Sequence, residues 1–179
     1  MWIRLLALAV LTQPAAADPT FVPVNVPDHS YVGGWEHFVG GGLAVLDCDA
    51  DERADMIAAG GSAPAMLFRN RSTPGDMSFQ AHPLDMLVSV TGLYPLDINS
   101  DGVMDLAVMR VGKNLLLQGQ GDCLFTPFEK LGFQSEEHWT TAFSATWEDG
   151  AILPTLAFGN YVDRDDPKGP FEACDDSFL

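Results

Sequence analysis

The chain is poor in basic residues, long apolar runs, cysteine and helical periodicity, and each shortage removes a class of function. Of its 179 residues only 9 are Lys or Arg, against 25 Asp or Glu, for a formal net charge of −16. Nucleic-acid phosphates and anionic membrane surfaces are recognised through cationic side chains, so neither fits as a partner. The apolar run at 5–11 is far too short to cross a bilayer, and no later stretch is long enough. It follows Arg4 and precedes Ala15, Ala16 and Ala17, the order of a secretory leader, so residues 1–17 read as a signal peptide cleaved after Ala17. The competing reading is a buried first element of a cytosolic protein. No segment carries sustained helical periodicity capped at both ends.

Export implies an oxidising compartment, where three cysteines allow one disulfide and leave one thiol. No CxxC and no zinc-type spacing occurs. Sequence leaves the pairing of Cys48, Cys123 and Cys174 open. Cys123–Cys174 is preferred, because Cys48 lies inside an acidic loop that reads as a metal site.

That loop emerges when the chain is laid against itself. Residues 43–58 (LAVLDCDADERADMIA) and 93–108 (LYPLDINSDGVMDLAV) superpose with an offset of 50, pairing Asp47 with Asp97, Asp49 with Asn99, Asp51 with Asp101 and Asp55 with Asp105. Each copy runs on as strand, acidic loop, strand, turn, strand, turn, strand. Short apolar or alternating segments at 39–46, 56–59, 65–68, 106–109 and 115–117 are bounded by Gly, Pro, Asn and Asp. Seventeen glycines and twelve prolines suit a chain with many tight turns. A period near 50 with about four strands per unit points to an all-β, propeller-type repeat. One such sheet cannot bury both its faces, so neighbouring units must stack.

The acids fall at positions 1, 3, 5 and 9 of each loop, a spacing that turns alternate side chains toward one point. The backbone carbonyl of position seven, Arg53 or Val103, is expected to face the same way, with the Arg53 side chain directed outward. The expected ligand sets are Asp47, Asp49, Asp51, Arg53 and Asp55, and Asp97, Asn99, Asp101, Val103 and Asp105. Oxygen-only sets of flexible geometry select Ca2+, since magnesium demands near-octahedral order and retains several waters. Gly102 at position six eases the turn where the first copy has Glu52, so the second loop reads as the stronger. The rival to a metal site is an acidic, solvated turn held by Asx-type hydrogen bonds. An EF-hand is excluded because position twelve is Ala58 or Val108 and the flanks are strands.

The pattern D-x-[DN]-x-D-x-x-x-D-[LM], entered from an apolar strand and followed by a strand ending Arg69-Asn70, resembles the FG-GAP/VCBS repeat. Residues 139–150 and 156–163 resemble a third blade of the ASPIC/UnbV-type subgroup. The resemblance implies an extracellular, integrin-α-like propeller, with blades near 36–85, 86–135 and 136–179, and calcium in a hairpin loop of each intact blade. It also implies that those loops are mainly structural and that other loops contact partners. The third copy lacks an acid at the closing position, and Asp163, Asp165 and Asp166 lack the spacing, so no metal is expected there. Three blades do not close a propeller, so the chain reads as a fragment of a longer protein.

No catalytic constellation accompanies these loops. His29, His37, His82 and His138 are dispersed. Ser62 lacks the second glycine of a nucleophile elbow, and Gly119-Gln120-Gly121 opens no helix. The expectation is a secreted, calcium-binding module that contacts extracellular protein or glycan and is not an enzyme. The alternatives are part of a polymer-acting extracellular enzyme and a bare structural repeat.

Overall fold

The computed structural model describes residues 19–161 and 177–178. The leader read at 1–17, the acids Asp163, Asp165 and Asp166, and Cys174 lie outside these residues. Among the described residues, a 3-10 turn at Trp35–His37 is followed by eleven strands. These are β1 (Leu43–Leu46), β2 (Asp55–Ala58), β3 (Ala65–Asn70), β4 (Phe79–Leu84), β5 (Val90–Leu96), β6 (Asp105–Lys113), β7 (Leu115–Gly119), β8 (Phe125–Pro127), β9 (Glu137–Thr146), β10 (Thr155–Asn160) and β11 (Ser177–Phe178). No α-helix occurs among the described residues, and none of their helices is long and apolar enough to cross a membrane.

The strands pair antiparallel as successive hairpins. The first sheet has the order β1-β2-β3-β4. In the second, β6 lies between β5 and β7, and β8 follows β7. The far end of β6 continues past β5 and pairs with β9, Val111 opposite Trp139, which attaches the hairpin β9–β10 and then β11. Proline placement obeys the ladder. Pro83, Pro95 and Pro127 sit on β4, β5 and β8, each paired on one side only, where a missing N–H removes no inter-strand bond.

Two cores separate three layers. Ala44, Leu46, Ile57 and Leu67 of the first sheet meet Val90, Leu93, Leu106, Val108 and Leu117 of the second. On the opposite face of the second sheet, Ala107, Met109 and Leu116 meet Leu156 and Phe158 of the third hairpin, with Phe143 packed alongside. The period-two alternation of β6 divides its residues between the two cores: Leu106 and Val108 to one, Ala107 and Met109 to the other. A strand covered on both faces is therefore apolar throughout, and Leu106 to Met109 are all fully buried.

Face-to-face stacking of units led by β1, β5 and β9, the first two of them four-stranded, is the arrangement of an open, partial propeller. The first strand starts at Leu43, later than the 39–46 segment read from sequence. Residues 39–42 instead bring the backbone against β5: a Cβ on Gly42 would meet Gly92 Cα at 2.7 Å, so only glycine permits this approach. A buried polar chain joins the second and third layers. Thr91 Oγ1 donates to the Thr140 carbonyl at 2.5 Å, Asn114 Nδ2 donates to Thr140 Oγ1 at 2.9 Å, and Thr140 Oγ1 donates to Asn160 Oδ1 at 2.7 Å.

Candidate metal centre

Both acidic segments are the connections of hairpins, β1–β2 and β5–β6, and both are wound by the same hydrogen bonds. The position-one carboxylate turns back under its loop. Asp47 accepts the N–H groups of Asp51 and Glu52 at 3.1 and 2.9 Å, and Asp97 accepts those of Asp101 and Gly102 at 3.1 and 2.9 Å. The position-five carboxylate accepts the N–H two residues on, Arg53 at 2.9 Å and Val103 at 2.8 Å. Left-handed backbone recurs in step, at Ala50 and Glu52 (φ 58° and 65°) and at Ser100 and Gly102 (φ 59° and 86°). Glu52 thus adopts the sharp turn that Gly102 takes without steric cost.

The position-nine acids close each loop from inside. Asp55 and Asp105 are fully buried. Asp55 accepts the N–H of Cys48 at 3.1 Å and of Asn70 at 2.7 Å; Asp105 accepts those of Ile98 and Gly119, both at 2.8 Å. Each carboxylate therefore ties the start of its own loop to the next strand but one. Burial pushes the Asp105 carboxyl above the ordinary range, and the two backbone N–H groups work in the opposite direction.

The loops differ in what they gather. In the first, oxygens of Asp47, Asp49 and Asp55 all lie within 4.8 Å of one another. Among the described residues the second loop has no such trio of acids. Its third position is Asn99, which accepts the Asp101 N–H at 3.1 Å and donates its own amide to Asp101 Oδ2 at 2.8 Å. Gln118 on β7 donates to the same oxygen at 3.4 Å. Asp101 is held below the ordinary carboxylate range, first by the Val103 N–H and then by Asn99.

Three arginines surround the first loop, and their placement corrects one expectation. The Arg53 side chain does not point outward. Its guanidinium folds back to pair with Asp51, and its Nε donates to the Asn70 carbonyl at 3.3 Å. Asp49 Oδ2 receives Arg69 Nη2 at 2.6 Å, with Arg71 at 3.6 Å, and the Arg69 hydrogen bond is the main reason its carboxyl lies below the ordinary range. The other oxygen, Asp49 Oδ1, is buried with no hydrogen-bond donor against it, on a side chain only 8% exposed.

Cysteine pairing is the second correction. The disulfide joins Cys48 to Cys123, with Cα atoms 4.6 Å apart, and not Cys123 to Cys174. Cys48 is at position two, and its side chain lies in the first core. Membership of an acidic loop is thus no bar to a disulfide. Ile98, its counterpart in the second copy, lies in the second core.

Residues overlooked in the sequence are Arg69, Arg71, Gln118 and Asp122. The basic pair in Arg69-Asn70-Arg71 was visible, and the antiparallel register Met56↔Phe68 carries it to the mouth of the loop. Gln118 and Asp122 gave no local signal.

The fold and these loops define an antiparallel β-sheet repeat protein with hairpin-borne acidic turns. Residues 47–108, about a third of the chain, match the family model described as FG-GAP-like repeat. That span runs from the first residue of the first loop, through β2 to β5, to the end of the second copy. No curated protein matches the chain.

Proposed function

We propose that the chain is a secreted, non-catalytic interaction module whose acidic loops bind calcium and stiffen the hairpins that carry them. The observation that carries this reading is the cluster of Asp47, Asp49 and Asp55 oxygens within 4.8 Å; Asp49, one of the three, also carries a buried oxygen, Oδ1, with no donor. Carboxylates this close repel one another, and an orphaned buried anionic oxygen is costly unless a cation meets it. The donor set is oxygen alone, which suits a hard cation of flexible coordination. Asp47, Asp49 and Asp55 would hold the ion in the first loop, and Asp97, Asn99 and Asp101 in the second. Bound calcium neutralises charge and pins each loop to its strands; no step of covalent chemistry is attached to it.

The interaction reading draws on the FG-GAP-like repeat and on the surface beside the second loop. The β9–β10 connection exposes Trp147, Ile152 and Leu153, which are 47, 73 and 48% accessible. Ser100 in the second acidic loop donates its hydroxyl to the Ile152 carbonyl at 2.7 Å. Ordering the acidic loop thereby orders an apolar surface of the kind that contacts extracellular protein or glycan.

Calorimetric titration of the chelator-treated protein with calcium tests the proposal. Extracellular-type sites give dissociation constants of about 10⁻⁴–10⁻³ M. The Asp49→Asn and Asp101→Asn variants should each remove one site. A flat titration, with no change in melting temperature between chelator and millimolar calcium, sinks the reading and leaves the arginines as the sole neutralisers of the first loop.

A further inference from the structure

The first acidic loop is fastened to the neighbouring sheet in a way that the second is not. The Ile98 side chain only packs, whereas that of Cys48 at the same position is bonded to Cys123 in the turn between β7 and β8, 75 residues away. The Cys123 N–H also donates to the Cys48 carbonyl at 2.9 Å. Arg69 spans the same junction, holding Asp49 at 2.6 Å and Asp122 at 2.5 Å. Cys48 is flanked in sequence by Asp47 and Asp49, two of the three clustered acids. The third, Asp55, places Oδ2 3.0 Å from Cys48 Sγ and 3.6 Å from Cys123 Sγ.

The oxidation state of one bond is therefore a property of the acidic cluster. In the disulfide neither sulfur carries a proton, so Asp55 Oδ2 faces two sulfurs that cannot donate. A dithiol reductant breaks the S–S bond by two-electron exchange. Cys48 and Cys123 each gain a proton as thiols, and the reductant is oxidised to its own disulfide. Each thiol is then an S–H donor beside Asp55 Oδ2. The loop also loses its covalent tie, so a cation must order a freer chain when it binds. The partner turn reinforces this. Asp122 and Cys123 both have left-handed backbone (φ 48° and 59°), at about 1–2 kcal/mol for each non-glycine residue. Such geometry persists where surrounding bonds over-determine it, and it relaxes when they are cut.

We infer that Cys48–Cys123 is a thiol–disulfide switch that sets the divalent-cation affinity of the first acidic loop and leaves the second loop unaffected; the inference rests on the calcium reading above. At 8 and 6% exposure the two cysteines are shielded in the folded chain, so reduction requires local opening and the switch answers to sustained reducing conditions.

The test uses the full chain with one loop disabled at a time. Asp101→Ala isolates the first loop and Asp49→Ala the second. Calcium titrations are run on each variant, oxidised and after dithiothreitol, with free thiols counted by alkylation and mass spectrometry. Reduction is expected to weaken calcium binding about tenfold in Asp101→Ala and not measurably in Asp49→Ala. A Cys48→Ser/Cys123→Ser variant with a native near-UV spectrum should bind like the reduced protein. In chelator, hydrogen exchange at the Cys48 amide should quicken on reduction while that at Ile98 does not. Unchanged affinity in fully reduced Asp101→Ala overturns the switch, as does an equal loss in both variants. Absence of binding in oxidised Asp101→Ala defeats the calcium reading of the first loop, and the switch with it.

Discussion

Arg69 on β3 reaches Asp122, in the β7–β8 turn of the next sheet, at 2.5 Å while its Nη2 also holds Asp49 at 2.6 Å. One guanidinium thus joins an acidic loop to the neighbouring layer. Arg69→Met keeps the apolar stem and removes both pairings. It should cost about 2 kcal/mol in chelator, because a buried carboxylate is left without its partner. Calcium, placed against the same acid, should recover most of that loss. Chemical denaturation with and without millimolar calcium measures both effects, and an equal loss in the two conditions contradicts cation binding at Asp49.

Asp105 offers a cleaner test of the closing acid, because no disulfide lies beside it. Asp105→Asn preserves size but replaces one acceptor with an NH2 group facing a backbone donor, from Ile98 or Gly119. The expected loss is about 2 kcal/mol, with faster hydrogen exchange at those two amides. A variant as stable as the parent would show that backbone pairing, and not the acid, closes the loop.

The sixth loop position predicts a reciprocal pair. Glu52 has φ 65° and Gly102 has φ 86°. Gly102→Val should destabilise by about 1–2 kcal/mol, the cost of left-handed backbone with a side chain. Glu52→Gly relieves that strain but adds unfolded-chain freedom, so it should be neutral or stabilising by up to about 1 kcal/mol. Melting temperatures that fall equally for both variants would refute the equivalence of the two turns.

Tyr31 provides a pH signature independent of any metal. Its hydroxyl is buried without a hydrogen-bond partner among the described residues, and burial raises its ionisation above the ordinary phenol value of about 10. As pH climbs past that value the unfolded chain releases the proton while the folded chain keeps it. The folded state then binds more protons, and stability falls with rising pH. Tyr31→Phe should flatten this decline and leave stability at neutral pH unchanged or higher. Ultraviolet phenolate titration should lose its highest-pH phase in that variant.

Much of the architecture was legible because it is encoded locally. The short apolar run 43–46 and the turn residues that bound it announce a short strand. The repetition of Asp47 and Asp55 as Asp97 and Asp105 announces two equivalent hairpins. The uninterrupted apolar run 106–109 was readable as a strand, but its division between two cores was not, since that depends on sheets lying on both sides of β6.

The candidate site was legible as residue types and only partly as geometry. Spacing grouped Asp47, Asp49 and Asp55 in one loop, and it ranked the second loop above the first. The ranking weighed the glycine of the turn. It could not weigh Asn99 engaging Asp101, nor the buried oxygen of Asp49, because both depend on side-chain placement.

The chain's own order therefore determined strands, turns and the winding of the acidic loops, because those follow from contacts a few residues apart and from backbone conformations that each residue permits. Stacking of the sheets decided the rest: which cysteine met Cys123, that Arg69 also reached Asp122, and which face of each strand left water. Those outcomes join residues many tens of positions apart, and they are settled by how layers bury their apolar faces against one another.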